Sequence, residues 1–287
     1  MVILRDIIIT GLLLGGIYAL VSVGLSLQYG VARVLNISHG EFIMVGAFIT
    51  YTLFTSSANI NPFVSLVIAF VFAFVVGWIL HTTLFRRLMD TSPSIGAFEG
   101  KSMLATFGLY YVVQNIARII WGSENRGFVF LNTTVTGAQI PLNRLVALGV
   151  VIVIAVAFYF FLARTRMGKA IRASIQDRTT AGLMGVNIHS VLAICFALGL
   201  GLAGIAGSLI STILAIQTSM GLSYLVIAMI VVVLGGLGSI SGAMIGGVIL
   251  GLVSALVTYF QPSMTMIAYY VIFIVLLLVR PKGIMGR

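Results

Sequence analysis

The sequence predicts an all-α polytopic membrane protein with about eight or nine membrane-embedded helices. Three observations predict it. Sixty per cent of the 287 residues are hydrophobic and only 8% are charged, against roughly 25% charged residues in soluble domains. Continuously apolar runs of about 20 residues, the length needed to cross the hydrocarbon core as a helix, recur along the whole chain. A dense glycine pattern, from Val231 to Gly251, lies inside one of these runs. The alternating apolar and polar side chains of a membrane β-barrel are absent from the sequence.

The unbroken apolar stretches place spans at about 7–28, 38–56, 62–85, 102–121, 142–163, 190–216, 222–238, 242–260 and 265–280. We read the chain as one transmembrane domain over 1–287, with no room for a separate soluble domain. The first stretch carries no small-residue cleavage pattern and reads as a retained span.

The first break, Asn36-Ile-Ser-His-Gly-Glu41, joins spans one and two. Ser38 and Glu41 have the spacing of a capping box, in which the two side chains satisfy amides at a helix start. Asn36, His39 and Glu41 also form a candidate translocation pathway, because ionisable groups near membrane depth are costly and mark function. The two readings are compatible, and both stand here.

Further along, Gly96-Ala-Phe-Glu-Gly-Lys-Ser102 resembles a phosphate-binding loop, but only three residues separate Gly96 from Gly100. A Walker A loop needs four, so the chain is not expected to bind ATP. The segment 122–141, rich in Asn, Thr and Gly, reads as the longest loop on the non-cytoplasmic side. His81 and His189 have no acidic or cysteine partners at ligand spacing and are expected at the membrane interface. No metal site is expected. The single cysteine, Cys195, reads as a small core residue.

The polar stretch 164–189 groups Lys169, Arg172 and Gln176 on one helical face and Ile171 and Ile175 on another. Gly182 and Gly185 then allow a reversal into the next span. This fits a short helix on the membrane surface, or a basic juxtamembrane segment that meets anionic headgroups. Small residues from Gly199 to Gly207 read as a packing surface. Gly238, Gly242 and Gly246, four apart, leave one helix face without bulk for close packing. Gly235, Gly236 and Gly238 mark a discontinuous element at 235–242 that is a second candidate border of the pathway.

In the nine-span reading Arg86, Arg87, Lys101, the basic residues of 164–189 and the tail residues Arg280, Lys282 and Arg287 share one side. That side is expected to be cytoplasmic, with the amino terminus outside and the carboxyl terminus inside. The net charge of +10 is thereby assigned to topology, and no nucleic-acid partner is expected. Six acidic residues and three isolated histidines supply no cluster for an enzyme.

Together the Asn36–Glu41 motif, the 165–187 segment, Val233-Leu-Gly-Gly-Leu-Gly-Ser-Ile-Ser-Gly-Ala243 and the closing Pro281-Lys-Gly-Ile-Met-Gly286 resemble the branched-chain amino acid ABC transporter permeases, LivH-type. The resemblance runs from about residue 11 to 286. It implies a LivM-type second permease, two cytoplasmic ATPase subunits that hold ATP and Mg, and an extracytoplasmic solute-binding protein, in a bacterial or archaeal inner membrane. It also implies that residues 167–186 dock on an ATPase, making Lys169, Arg172, Asp177 and Gly185 candidate coupling contacts. Ile227 stands where relatives commonly carry lysine, and Ser241 where they often carry proline. The first departure leaves other amino acids, amides and urea open as solutes. The competing reading is a self-sufficient secondary carrier or channel for a small polar solute, for which no convincing inverted repeat is seen.

Overall fold

The computed structural model describes residues 2–57, 59–131, 133–134, 141–280 and 283–285. Lys282, Arg287 and, in the expected outer loop, residues 132 and 135–140 lie outside the described residues. Among those described, the chain is helical with no strand, apart from two isolated bridges. In order come α1 (Val2–Ala32), α2 (His39–Thr55), α3 (Pro62–Leu80), a π-helical turn (His81–Phe85), α4 (Arg86–Asp90), α5 (Ile95–Trp121) and α6 (Leu142–Arg164). Then follow α7 (Arg166–Gln176), α8 (Arg178–Leu183), α9 (Ile188–Ser211), α10 (Met220–Gly235), α11 (Ile240–Phe260) and, after a 3₁₀ turn, α12 (Thr265–Val279).

Seven helices among the described residues are long and apolar enough to cross a membrane, with α3, the π turn and α4 counting as one. The apolar helices α2 and α10, with 17 and 16 residues, are shorter. At 1.5 Å per residue α10 is about 24 Å long, less than the roughly 30 Å of hydrocarbon. It ends three residues earlier than the apolar run suggests, because Gly236 (φ 102°) and Gly238 (φ 79°) turn the chain straight into α11.

α9 is the buried centre of the fold, wrapped by α1, α2 and α3. Its small residues set these distances. A Cβ on Gly24 of α1 would stand 2.6 Å from the Gly199 carbonyl oxygen, and one on Gly46 of α2 would stand 2.7 Å from the Gly204 Cα. Such backbone contact is how small residues substitute dispersion and tight fit for a hydrophobic drive that lipid cannot supply. α11 lies antiparallel along α1, Gly15 meeting Val248 and Gly247 meeting Ala19, and α10 folds back on α11 with Gly235 against Gly242. Gly246 faces Val231 and Leu234, so Gly242 and Gly246 lie on the packed face. Gly238 does not share that helix: it sits in the turn, with its Cα against Gly30 of α1.

Outer faces of α3, α5, α6 and α12 expose large apolar side chains, as lipid-facing helices do. α12 buries a single described residue, Tyr269. Its hydroxyl donates to Ser254 Oγ of α11 at 2.6 Å and lies 3.1 Å from the Tyr18 hydroxyl of α1. One corner of three helices is thus tied by hydroxyls in an apolar setting. Replacing Tyr269 by Phe keeps the ring and removes both bonds. We expect a loss of about 0.6–1.7 kcal/mol, read as a lower unfolding midpoint in mild detergent and faster hydrogen exchange confined to α12.

Candidate functional site

α1 does not pass directly into α2. The chain leaves α1 through Arg33, at φ 54°, and residues 34–38 run back into the bundle. The His39 Nε2–H donates to the Val21 carbonyl at 3.1 Å, about three helical turns before the end of α1. Asn36, Ser38, His39 and Glu41 are therefore all buried, and α2 starts well inside the bilayer thickness.

The capping box does not form. Ser38 takes helical backbone angles and makes no side-chain cap; its hydroxyl donates to Asn36 Oδ1 at 2.6 Å instead. Asn36 Nδ2, His39 Nδ1 and both Glu41 carboxyl oxygens have no hydrogen-bond partner, and nearby on α1 neither does Gln28 Oε1. The Gln28 amide itself donates to the Phe196 carbonyl of α9 at 3.2 Å. A Cβ on Gly221, in the first turn of α10, would collide with Glu41 Oε1, and one on Gly40 would collide with the Gly221 carbonyl. The starts of α2 and α10 thus meet backbone to backbone, with the Glu41 carboxyl seated on the Gly221 Cα.

Opposite this break stands a polar face that the apolar run 102–121 hid. Ser102, Thr106, Tyr110 and Gln114 of α5 are all buried. Their spacing of four puts them on one helical stripe, a signal present in the sequence. Thr106 Oγ1 accepts from the Ile37 amide at 3.2 Å, and the Gln114 amide donates to the Tyr110 hydroxyl at 3.1 Å. Farther along, Trp121 Nε1 donates to Thr52 Oγ1 at 2.9 Å. Both inter-helix bonds join residues 69 apart. α2 and α5 therefore run parallel in register, which sets Tyr110 level with Glu41 and Gln114 level with Val45.

Gly235, Gly236 and Gly238 are not part of this group. They lie at the other end of α10, and the carbonyls of Leu234 and Gly235 accept from Ile284 and Met285 at 2.8 and 3.0 Å. The two pathway borders suggested by the sequence are thus separated by the length of α10. A Cβ on Gly283 would meet the Gly236 amide at 2.6 Å, which brings the tail hard against the turn.

The 164–189 segment is two helices rather than one. Thr165 caps α7 by accepting from the Gly168 amide at 2.9 Å, and Asp177 ends α7 and caps α8. Asp177 Oδ1 accepts from the Thr179 and Thr180 amides at 2.8 and 3.3 Å, and Oδ2 accepts from the Thr180 hydroxyl at 2.6 Å. These bonds, the Thr180 hydroxyl first, hold its carboxyl below the usual carboxylate range. Gly168, Ile171 and Ser174 are buried, whereas Lys169 and Arg172 are exposed. Gly185 (φ 86°) makes the reversal, and the residues before it, Leu183 and Met184, are 84% and 81% exposed. His189 is exposed, whereas His81 is buried in the π turn, its ring 6.0 Å from that of Phe196. Cys195 is buried in α9.

Two tests follow from these caps and contacts. Asp177→Ala is expected to raise hydrogen exchange at residues 178–183 without unfolding the bundle. Because the folded-state pKa of Asp177 is depressed, this cap is intact above the unfolded value and is lost as pH falls through the folded one. Acidification well below the ordinary aspartate value of about 3.9, through the depressed folded-state one, should then reproduce the exchange of the Ala variant. Gly221→Ala must displace the Glu41 carboxyl or part α2 from α10, and we expect about 1–3 kcal/mol of destabilisation in a detergent melt.

Residues 7–280 match the family described as branched-chain amino acid transport system / permease component. The LivH high-affinity branched-chain amino acid permease protein of Escherichia coli K12 is 31% identical over 96% of this chain and 94% of its own length. A probable LivH of Methanocaldococcus jannaschii is 30% identical over 93% of this chain and 88% of its own, and BraD of Pseudomonas aeruginosa is 28% identical over 98% and 95%. Among solved structures, PsaBC from Streptococcus pneumoniae in complex with Fab shares the fold, with a TM-score of 0.52 at 12% identity over 98% of this chain and 92% of that one. Matched from its first span to its last, this multi-pass inner-membrane chain belongs to the permease-component family of branched-chain amino acid transport systems.

Proposed function

We propose that the chain is a membrane subunit of an ATP-driven importer that passes branched-chain amino acids from an extracytoplasmic binding protein to the cytoplasm. The observation that carries this reading is the near full-length relationship to LivH and BraD proteins. In this reading a LivM-type permease completes the membrane pair, and two ATPase subunits supply the ATP and Mg chemistry. The chain itself breaks no bond.

The basic end of the bundle supports a cytoplasmic assignment for the 164–189 segment. α6 runs parallel to α1, as Arg144 at Thr10 and Val151 at Gly16 require. Its last residues, the α7–α8 pair, Arg86 and Arg87 after α3, and the 283–285 tail therefore share the end opposite the amino terminus. Lys and Arg concentrated on one side favour that side as cytoplasmic, with the amino terminus outside.

Lys169, Arg172, Asp177 and Gly185 then build the coupling element. Lys169 and Arg172 present charge, Asp177 and Gly185 fix the two turns, and Leu183 with Met184 forms an apolar tip. α7 is pressed onto the end of α6 at Gly168, against the Leu162 Cα, and only four residues separate α8 from α9, which begins under its own Asn187 cap. A rigid push on α7 and α8 therefore reaches α9, and through it α1, α2 and α3. The pathway is assigned to the Asn36–Glu41 break and the facing stripe of α5.

Affinity purification from the native membrane tests this reading. A second permease and two ATPases should co-elute with ATPase activity. Lys169→Glu with Arg172→Glu should lower the recovered ATPase about tenfold, equivalent to about 1.4 kcal/mol of docking energy, while the chain stays folded. A pure homo-oligomer that transports solute without ATP would instead establish the self-sufficient carrier.

A further inference from the structure

We propose that Glu41 is the counter-charge for the ammonium group of the solute, so that this permease selects amino acids over neutral amides and urea. The inference rests on the importer reading above and deepens its pathway assignment.

Glu41 combines three properties. It is fully buried, neither carboxyl oxygen has a hydrogen-bond donor, and it sits at the start of two helices that begin inside the bundle. The N-terminal ends of α2 and α10, which meet at this carboxyl, both carry partial positive charge. A carboxylate in hydrocarbon without a partner is expensive, and a bundle tolerates it where a cation arrives to pair with it. The guanidinium of Arg118 acts on Glu41 electrostatically, but its residue is on the exposed face of α5 and makes no ion pair with it.

The surrounding orphan atoms have matching polarity. His39 gives its Nε2–H to Val21, so Nδ1 of the neutral ring is an acceptor. His39 points to α1 at Val21 and Gly24, whereas Glu41 lies against Gly221 of α10, so the acceptors offered to an ammonium are the two Glu41 oxygens. Ser38 fixes the Asn36 amide by donating to its Oδ1, which turns Nδ2 into the free donor of the same break. A zwitterion needs both signs: acceptors for its ammonium and a donor for its carboxylate. A neutral amide or urea can donate N–H bonds to the carboxylate but leaves its charge uncompensated. In this state Gly221 covers the carboxyl, so access requires the start of α10 to move away from α2. Glycine at 221 is what allows the seat to close.

The test uses the co-purified complex in proteoliposomes, with the loaded binding protein and L-leucine. Glu41→Gln has the shape of a protonated carboxyl and separates a neutral buried acid from a counter-charge. We expect leucine taken up per ATP hydrolysed to fall at least tenfold in Glu41→Gln with subunit recovery intact, and Glu41→Asp to retain more than Glu41→Gln. Uptake by Glu41→Gln equal to the parent, or loss of the complex on this substitution, overturns the proposal. A second arm, on the detergent-purified complex without binding protein, compares thermal stabilisation by L-leucine and by 2-hydroxy-4-methylpentanoate, in which hydroxyl replaces ammonium. Stabilisation by leucine alone, lost in Glu41→Gln, supports the counter-charge; equal stabilisation by both compounds refutes it. A parent complex that takes up leucine without ATP sinks the importer reading while leaving this second arm decisive for Glu41.

Discussion

Everything else in this bundle depends on backbone meeting backbone around α9. Lipid tails are as apolar as leucine, so burying leucine against leucine gains little in a membrane, and close fit must supply the attraction. Gly24 against Gly199 and Gly46 against Gly204 bring α1 and α2 to the central helix at a distance no larger side chain permits. α1 then positions α11 through Gly15 and Gly247, and α11 positions α10 through Gly242. The large side chains that would fill a soluble core face outward instead, on α3, α5, α6 and α12.

The same closeness makes interrupted helices affordable. A helix that starts inside the bilayer exposes amides that water does not reach, which is tolerated only where protein or an aqueous path surrounds it. α2 and α10 start side by side, enclosed by α1, α5 and α9. Neither start is capped by a side-chain hydrogen bond; instead α2 places Glu41 in its first turn, and the positive end of α10 meets that same carboxyl at Gly221. Asn36, His39 and Glu41 are therefore at once what the interruption needs and what it makes available to a solute. The structural role of these residues and their proposed transport role share one physical origin.

The apolar helices were legible in the sequence because membrane thickness fixes their length, and each stretch read as a span corresponds to a helix. What stayed hidden depended on tertiary choice of partner. Ser38 and Glu41 have capping-box spacing, yet the Ser38 hydroxyl finds Asn36 closer than the amide it was expected to cap. Gly238 continues a four-residue repeat on paper, but a positive φ places it in a turn. Asp177 splits a stretch that reads as one amphipathic helix, because its carboxylate satisfies the next helix start better than water does. The stripe from Ser102 to Gln114 was readable at a spacing of four and was masked by the mean apolarity of its run. Which residues move with solute is not encoded in any single helix.

The tail that closes the α10–α11 turn has a consequence for biogenesis. Leu234 and Gly235 carbonyls end α10 inside the protein and receive their donors from Ile284 and Met285, which lie beyond α11 and α12 in the chain. A ribosome delivers these donors only after both later helices have been made. Until then this end of α10 lacks those two donors, and at about 24 Å the helix is shorter than the hydrocarbon it would have to cross alone. α10 is thus poorly suited to stand alone in lipid as it leaves the insertion machinery. It is better described as half of a hairpin that waits, in a wet or protein-lined site, for its last strand of backbone to arrive.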